Sequence, residues 1–273
     1  MIDSHQHFWK FDPTRDAWIN DHMKIIQRDF FPKDLAPILS KNGIDGTVAV
    51  QADQSENETN FLLSLAVEND SIKGVVGWVD LRAENLSEGL QYYSRFKKIK
   101  GFRHIVQAEP DGFLDQRSFR KGVKLLRDFN FTYDVLIYSR QLPEAIRFVK
   151  DFPDQKFVID HVAKPVISKN EWEPWAKGMI EMAKFENVYC KVSGMVTEAN
   201  WSSWTEDTFK SYLNLVFEKF GTKRILYGSD WPVCLVAASY EQQLSIVQKF
   251  ISKLSPSEKN DVMGENAIRF YNL

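Results

Sequence analysis

The stretch RILYGSDWPV, residues 224–233, decides how the chain is read. A short apolar run stops at a Gly-Ser-Asp turn, as a buried strand does when it ends in a polar loop. The same figure recurs upstream. GTVAVQA (46–52), VVGWVDL (75–81), IKGFRHIVQ (99–107), FTYDVLIY (131–138), KFVIDHV (156–162) and VYCKVSG (188–194) are each rich in β-branched or aromatic residues. A very short strand over Ile2–His5 completes a set of eight.

Between these runs the apolar spacing changes to that of helices. FPKDLAPILSKNG (31–43) has Pro32 in its first turn and Gly43 at its stop. Residues 57–70, 86–96, 118–129, 141–152, 171–185, 205–220 and 239–251 follow the same period, and 257–271 adds a terminal helix. Eight strand–helix units without a glycine-rich nucleotide fingerprint predict an α/β fold, a (β/α)8 or TIM barrel with a C-terminal helix. Nothing Pro-, Gly- or Ser-rich divides residues 1–273, so one domain is expected. An open doubly wound sheet is the alternative.

Composition narrows the partners. The net charge is −2, which gives no electrostatic reason to expect nucleic acid or an anionic membrane. No apolar run approaches a membrane span, and MIDSHQHFW lacks the order of a signal peptide. A cytoplasmic location is expected. Cys190 and Cys234 lack metal-type spacing and read as buried thiols. The basic run at residues 95–100 reads as the solvated lead-in to a strand, and Met179 and Met182 as core.

A barrel of this kind places its site at the C-terminal strand ends. The polar residues predicted there are Asp3, His5 and His7, then Gln51, Asp53 and Gln54, then Trp78 and Asp80. Arg103, His104 and Gln107 follow, then Asp134 and Tyr138, His161 and Lys164, Lys191 and Ser193, and Asp230 with Trp231. Of five histidines in the chain, His5, His7, His104 and His161 fall at this one rim. His5 and His7 are two apart, so on a strand both rings point the same way. The pair suits two metal ligands or two donors to one oxygen. Asp230 suits a general base, with Trp231 beside it to exclude water.

HQHFW, GFRHIVQ, DHVAKP, KVSG and GSDWPV together resemble the sugar-lactone hydrolase branch of the amidohydrolase superfamily, in order and along essentially the whole chain. The resemblance implies opening of a sugar-acid lactone of the deoxy-sugar type, such as a fuconolactone or rhamnonolactone. It implies Asp230, His5, His7 and His161 as catalytic residues, and the same four as ligands of one divalent ion, zinc first, if a metal is bound. The branch also contains metal-independent members. A two-metal centre is not expected, because strand 4 lacks the bridging Lys and strand 5 lacks a His.

Substrate contacts are expected from Arg103 and His104, from Asp134 toward a diol, from Lys191, and from an aromatic wall of Trp9, Trp78 and Trp231. There is no G-x-S-x-G, so a serine nucleophile is not expected. The long loop from Phe11 to Phe31, with Asp16, Trp18 and His22, is a candidate lid. The partner is a small-molecule lactone, and a homo-oligomer is compatible with the sequence. A metal-dependent decarboxylase of a small aromatic or unsaturated acid, a hydrolase of an anionic aromatic-derived lactone, and a non-catalytic sugar-acid-binding barrel are the alternatives.

Overall fold

The computed structural model describes residues 1–273. Its strands are β1 (Ile2–Gln6), β2 (Gly46–Val50), β3 (Ile72–Gly77), β4 (Ile99–His104), β5 (Thr132–Val135), β6 (Phe157–Ile159), β7 (Val188–Val192) and β8 (Ile225–Tyr227). They form one parallel sheet in sequence order. β8 returns to β1, where Asp230 N donates to His5 O at 2.8 Å and His7 N to Trp231 O at 2.7 Å. The buried Asp3 carboxylate reinforces this seam. It accepts from Ser229 N at 2.9 Å and the Tyr240 hydroxyl at 3.1 Å. Asp3 therefore stitches the barrel shut and does not face a substrate, and burial pushes its carboxyl up to about 6.

The helices are α1 (Pro32–Asn42), α2 (Glu56–Glu68), α3 (Leu86–Tyr93), α4 (Arg117–Asp128), α5 (Leu142–Lys150), α6 (Glu173–Met182), α7 (Met195–Glu198), α8 (Glu206–Phe220), α9 (Tyr240–Phe250), α10 (Pro256–Asn260) and α11 (Asn266–Tyr271). The expected (β/α)8 barrel is thus present. Gly43, with φ of 65°, ends α1 in the left-handed turn its position predicted. The expected terminal helix is broken into α10, a π-turn and α11.

Two apolar clusters fill the fold. The larger lies between strands and helices and includes Met179, Met182, Cys190 and Cys234. The smaller holds Val48, Val50, Val76, Val158 and Leu226 inside the barrel, against Ala267, Phe270 and Tyr271 of α11. The terminal helix therefore closes the end opposite the predicted site. No helix is long and apolar enough to cross a membrane.

β5, β6 and β8 stop earlier than their apolar runs suggest. After β6 the chain turns through His161, Val162, Ala163 and Lys164 with φ of 51°, 48°, 57° and 46°. Left-handed backbone costs roughly 1–2 kcal/mol per non-glycine residue, and a run of four is rare. Asp230, past β8, is also left-handed, with φ of 57°. Unfavourable backbone thus gathers where the histidine of strand 6 and the carboxylate of strand 8 are presented.

Candidate active site

His5 and His7 both project into the barrel mouth, as their spacing requires. His7 Nδ1 lies 2.7 Å from the carbonyl oxygen of Val50, and only a protonated Nδ1 can make that contact. A ring whose single proton sits on Nδ1 presents its lone pair at Nε2. That atom is 3.2 Å from His5 Nε2 and 3.4 Å from Asp230 Oδ1. His161 completes the group. Its Nδ1 bonds the Ser193 hydroxyl at 2.9 Å, and its Nε2 stands 3.8 Å from Asp230 Oδ1.

Burial decides the charge states. It outweighs the carboxylates of Asp230 and Asp160 at His161 and pushes that imidazole down to about 4. Burial, with the Lys191 ammonium beside it, also holds His5 well below its ordinary value. For Asp230 burial opposes ionisation, but the surrounding imidazoles of His161, His7 and His5 win and hold its carboxyl well below the usual range. At neutral pH Asp230 is an ionised carboxylate beside the neutral imidazoles of His5 and His161.

This donor set fits a divalent cation. Ligand atoms of His5, His161 and Asp230 lie within 4.8 Å of one another, and His7 Nε2 borders the same point. Lone pairs and a carboxylate oxygen converging this closely repel unless a proton or a cation lies between them. The outer nitrogens of His7 and His161 are anchored, as metal-binding imidazoles are. Three imidazoles and one carboxylate suit zinc.

Below the histidines lies a buried charge chain that sequence reading did not assemble. Asp160 receives Arg103 Nη1 at 3.0 Å and Lys191 Nζ at 3.0 Å, and its Oδ1 is 3.3 Å from His5 Nδ1. Lys191 also reaches Asp134 at 2.5 Å, and the Tyr271 hydroxyl donates to the same carboxylate at 2.8 Å. Asp160 is the residue sequence reasoning missed. Its position beside His161 in DHVAKP was the available signal.

The cavity above has a volume of about 270 Å³. Its polar lining is His7, Gln54, Arg103, Gln107, His161, Lys164 and Asp230, and Trp18, Ile105, Leu136 and Val233 supply apolar walls. Of the expected substrate contacts, only Arg103 lines it. Asp134 and Lys191, expected to meet a diol and the substrate, are fully buried partners of one another beneath the histidines. His104 follows Arg103 on β4 and so faces the opposite way. Its ring stacks on Phe113, and it bonds Glu109 at 2.8 Å. Trp78 donates to that ring at 3.3 Å. Trp9 and Trp231 pack on Phe30 in the core instead of forming a wall. The aromatic that lines the cavity is Trp18, on the expected lid loop. Asp16 on that loop is buried against Arg15 at 2.7 Å, while His22 is exposed.

Residues 2–273 match the model of the family described as amidohydrolase. The chain belongs to the amidohydrolase family. Among curated relatives, L-fucono-1,5-lactonase of Burkholderia multivorans is 38% identical, over 100% of this chain and 96% of its own length. L-fucono-1,5-lactonase of Burkholderia ambifaria is 33% identical, over 100% of this chain and 95% of its own. An amidohydrolase from Burkholderia multivorans solved with bound zinc superposes with a TM-score of 0.97 at 38% identity, covering 100% of this chain and 99% of that one.

Proposed function

We propose that this member of the amidohydrolase family hydrolyses a sugar-acid lactone, L-fucono-1,5-lactone first among candidates, to the free aldonic acid. The observation that carries the chemistry is the Asp230 carboxylate, held among His5, His7 and His161 at the floor of a cavity of about 270 Å³. The substrate class rests on two full-length relatives named as L-fucono-1,5-lactonases.

Asp230 accepts a proton as the oxygen of water adds to the ester carbonyl. The developing oxyanion lies among the histidines at the cavity floor. His5, His7, His161 and Asp230 would hold a divalent ion, which when bound would supply Lewis acidity toward the ester carbonyl. The bond from carbonyl carbon to ring oxygen then breaks, and Asp230 returns its proton to the leaving alkoxide. No covalent intermediate is needed. Arg103 borders the same floor, fixed by Asp160 and by the carbonyl oxygen of Gln51. Trp18 offers an apolar face to the ring carbons.

The test is pH-indicator hydrolysis of freshly prepared L-fucono-, L-rhamnono- and D-galactonolactones, with Asp230→Asn as the comparison. Turnover of one lactone well above its spontaneous rate, reduced at least about 100-fold in Asp230→Asn with folding unchanged, is the expected result. Rates equal to the uncatalysed opening across the panel would sink the proposal.

A further inference from the structure

Two cations line the cavity, and they differ in how they are occupied. Arg103 spends its Nη atoms on Asp160, the Gln51 carbonyl and His5. Lys164 faces the same cavity with one protein partner, a carboxylate oxygen of Glu198 at 3.4 Å. An ammonium carries three donors, so Lys164 keeps donor capacity for something that enters.

Its height in the cavity follows from exposure. The Lys164 side chain is 17% exposed, against 5% for His161 and 5% for Asp230. Its Nζ also sits 5.6 Å above the ring of Tyr138, whose residue is 39% exposed. Lys164 therefore stands at the mouth and the reacting groups at the floor. One left-handed turn carries both levels, with His161 at its start and Lys164 at its end. Glu198, at the end of α7, faces Lys164 from the adjacent strand-end segment.

Resting on the lactonase reading above, we propose that Lys164 is a substrate-binding residue that donates to a hydroxyl of the lactone at the cavity mouth, and that Glu198 is the positioning residue that aims it. A hydroxyl is the fitting group, because the ester carbonyl is engaged at the floor while the ring hydroxyls project outward. Lys164 then governs which hydroxyl pattern is accepted and leaves the bond-breaking step to Asp230.

The experiment compares unaltered enzyme with Lys164→Met, Glu198→Gln and the double variant. Substrates are the preferred lactone and a series of its analogues, each lacking one hydroxyl. Lys164→Met is expected to raise KM about tenfold or more while kcat changes less than about threefold. That penalty should vanish on one deoxy analogue and persist on the others. Glu198→Gln should raise KM by a smaller factor, and the double variant should behave like Lys164→Met. An unchanged KM, or an equal penalty on every analogue, would overturn the assignment. The unaltered enzyme's turnover tests the lactonase reading separately. If it turns over nothing, calorimetric titration with L-fuconic acid and its deoxy analogues still tests Lys164, since affinity must fall in Lys164→Met for the acid that carries the hydroxyl.

Discussion

Gly194 abuts the ring of His161: a Cβ at position 194 would stand 2.5 Å from Nδ1. The glycine also adopts φ of 60°, a conformation that other residues reach only with strain. Gly194→Ala should therefore push His161 off Ser193 and away from Asp230. We expect kcat/KM to fall on the order of 100-fold, the scale of an ångström-sized misplacement. Thermal unfolding should shift down by only a few degrees. Unchanged kinetics in a folded variant would show that His161 tolerates displacement.

Metal occupancy is accessible without turnover. Zinc added to chelator-treated protein should raise the unfolding temperature, because a ligand at a hundredfold its Kd stabilises by about 2.7 kcal/mol. Asp230→Asn and His161→Ala should lose most of that shift. Elemental analysis after desalting should find zinc retained by the unaltered chain. No shift and no retained metal would leave the carbonyl to be polarised by a direct donor other than His7, whose proton is held by the Val50 carbonyl.

Lys191 is fully buried between Asp134 and Asp160. Lys191→Met leaves Asp134 without its cation and Asp160 with Arg103 alone. Breaking a buried pair in this way destabilises by about 3–5 kcal/mol. Adding Asp134→Asn should recover part of the loss. Urea unfolding of the single and double variants checks both statements. A single variant as stable as the parent would mean that the buried charges are neutralised by protonation.

Glu58 gives a pH signature remote from the catalytic residues. Burial outweighs its hydrogen bond from Ala52 N and its attraction to Arg15, with Asp53 and Asp16 adding repulsion, and the carboxyl rises to about 7. Between the ordinary value near 4.5 and 7 the folded state binds this proton more tightly than the unfolded state. Stability therefore falls as pH rises through that window and levels off above it, by on the order of 3 kcal/mol. Glu58→Gln retains an acceptor for Ala52 N and should remove that part of the slope. Denaturation at several pH values reads the difference. Parallel slopes in the two proteins would contradict it.

The barrel was legible because eight short apolar runs alternate with helical spacing, and parallel pairing in chain order follows from that alternation. His5, His7, His161 and Asp230 were legible from strand-end position, and the structure brings all four together. The lining was harder to read. Arg103 and His104 are neighbours, yet only one side of a strand faces the mouth, and the sequence does not mark which. Lys191 and Asp134 face inward but a layer too deep. Val162 and Ala163 are buried, so the apolar pattern of strand 6 runs on where the backbone has already turned left-handed. Trp18 reaches the cavity through the path of a long loop, which periodicity does not encode.

That left-handed turn has an evolutionary consequence. His161 and Lys164 are the two ends of one short left-handed segment, so the part that works on the ester and the part that grips the sugar share one mount. A descendant acquiring a new substrate by backbone remodelling there would disturb its catalytic histidine in the same step. Diversification is easier from the Phe11–Phe31 loop, where Trp18 lines the cavity from outside that turn. Related barrels that keep this turn should therefore vary most across the cavity from it.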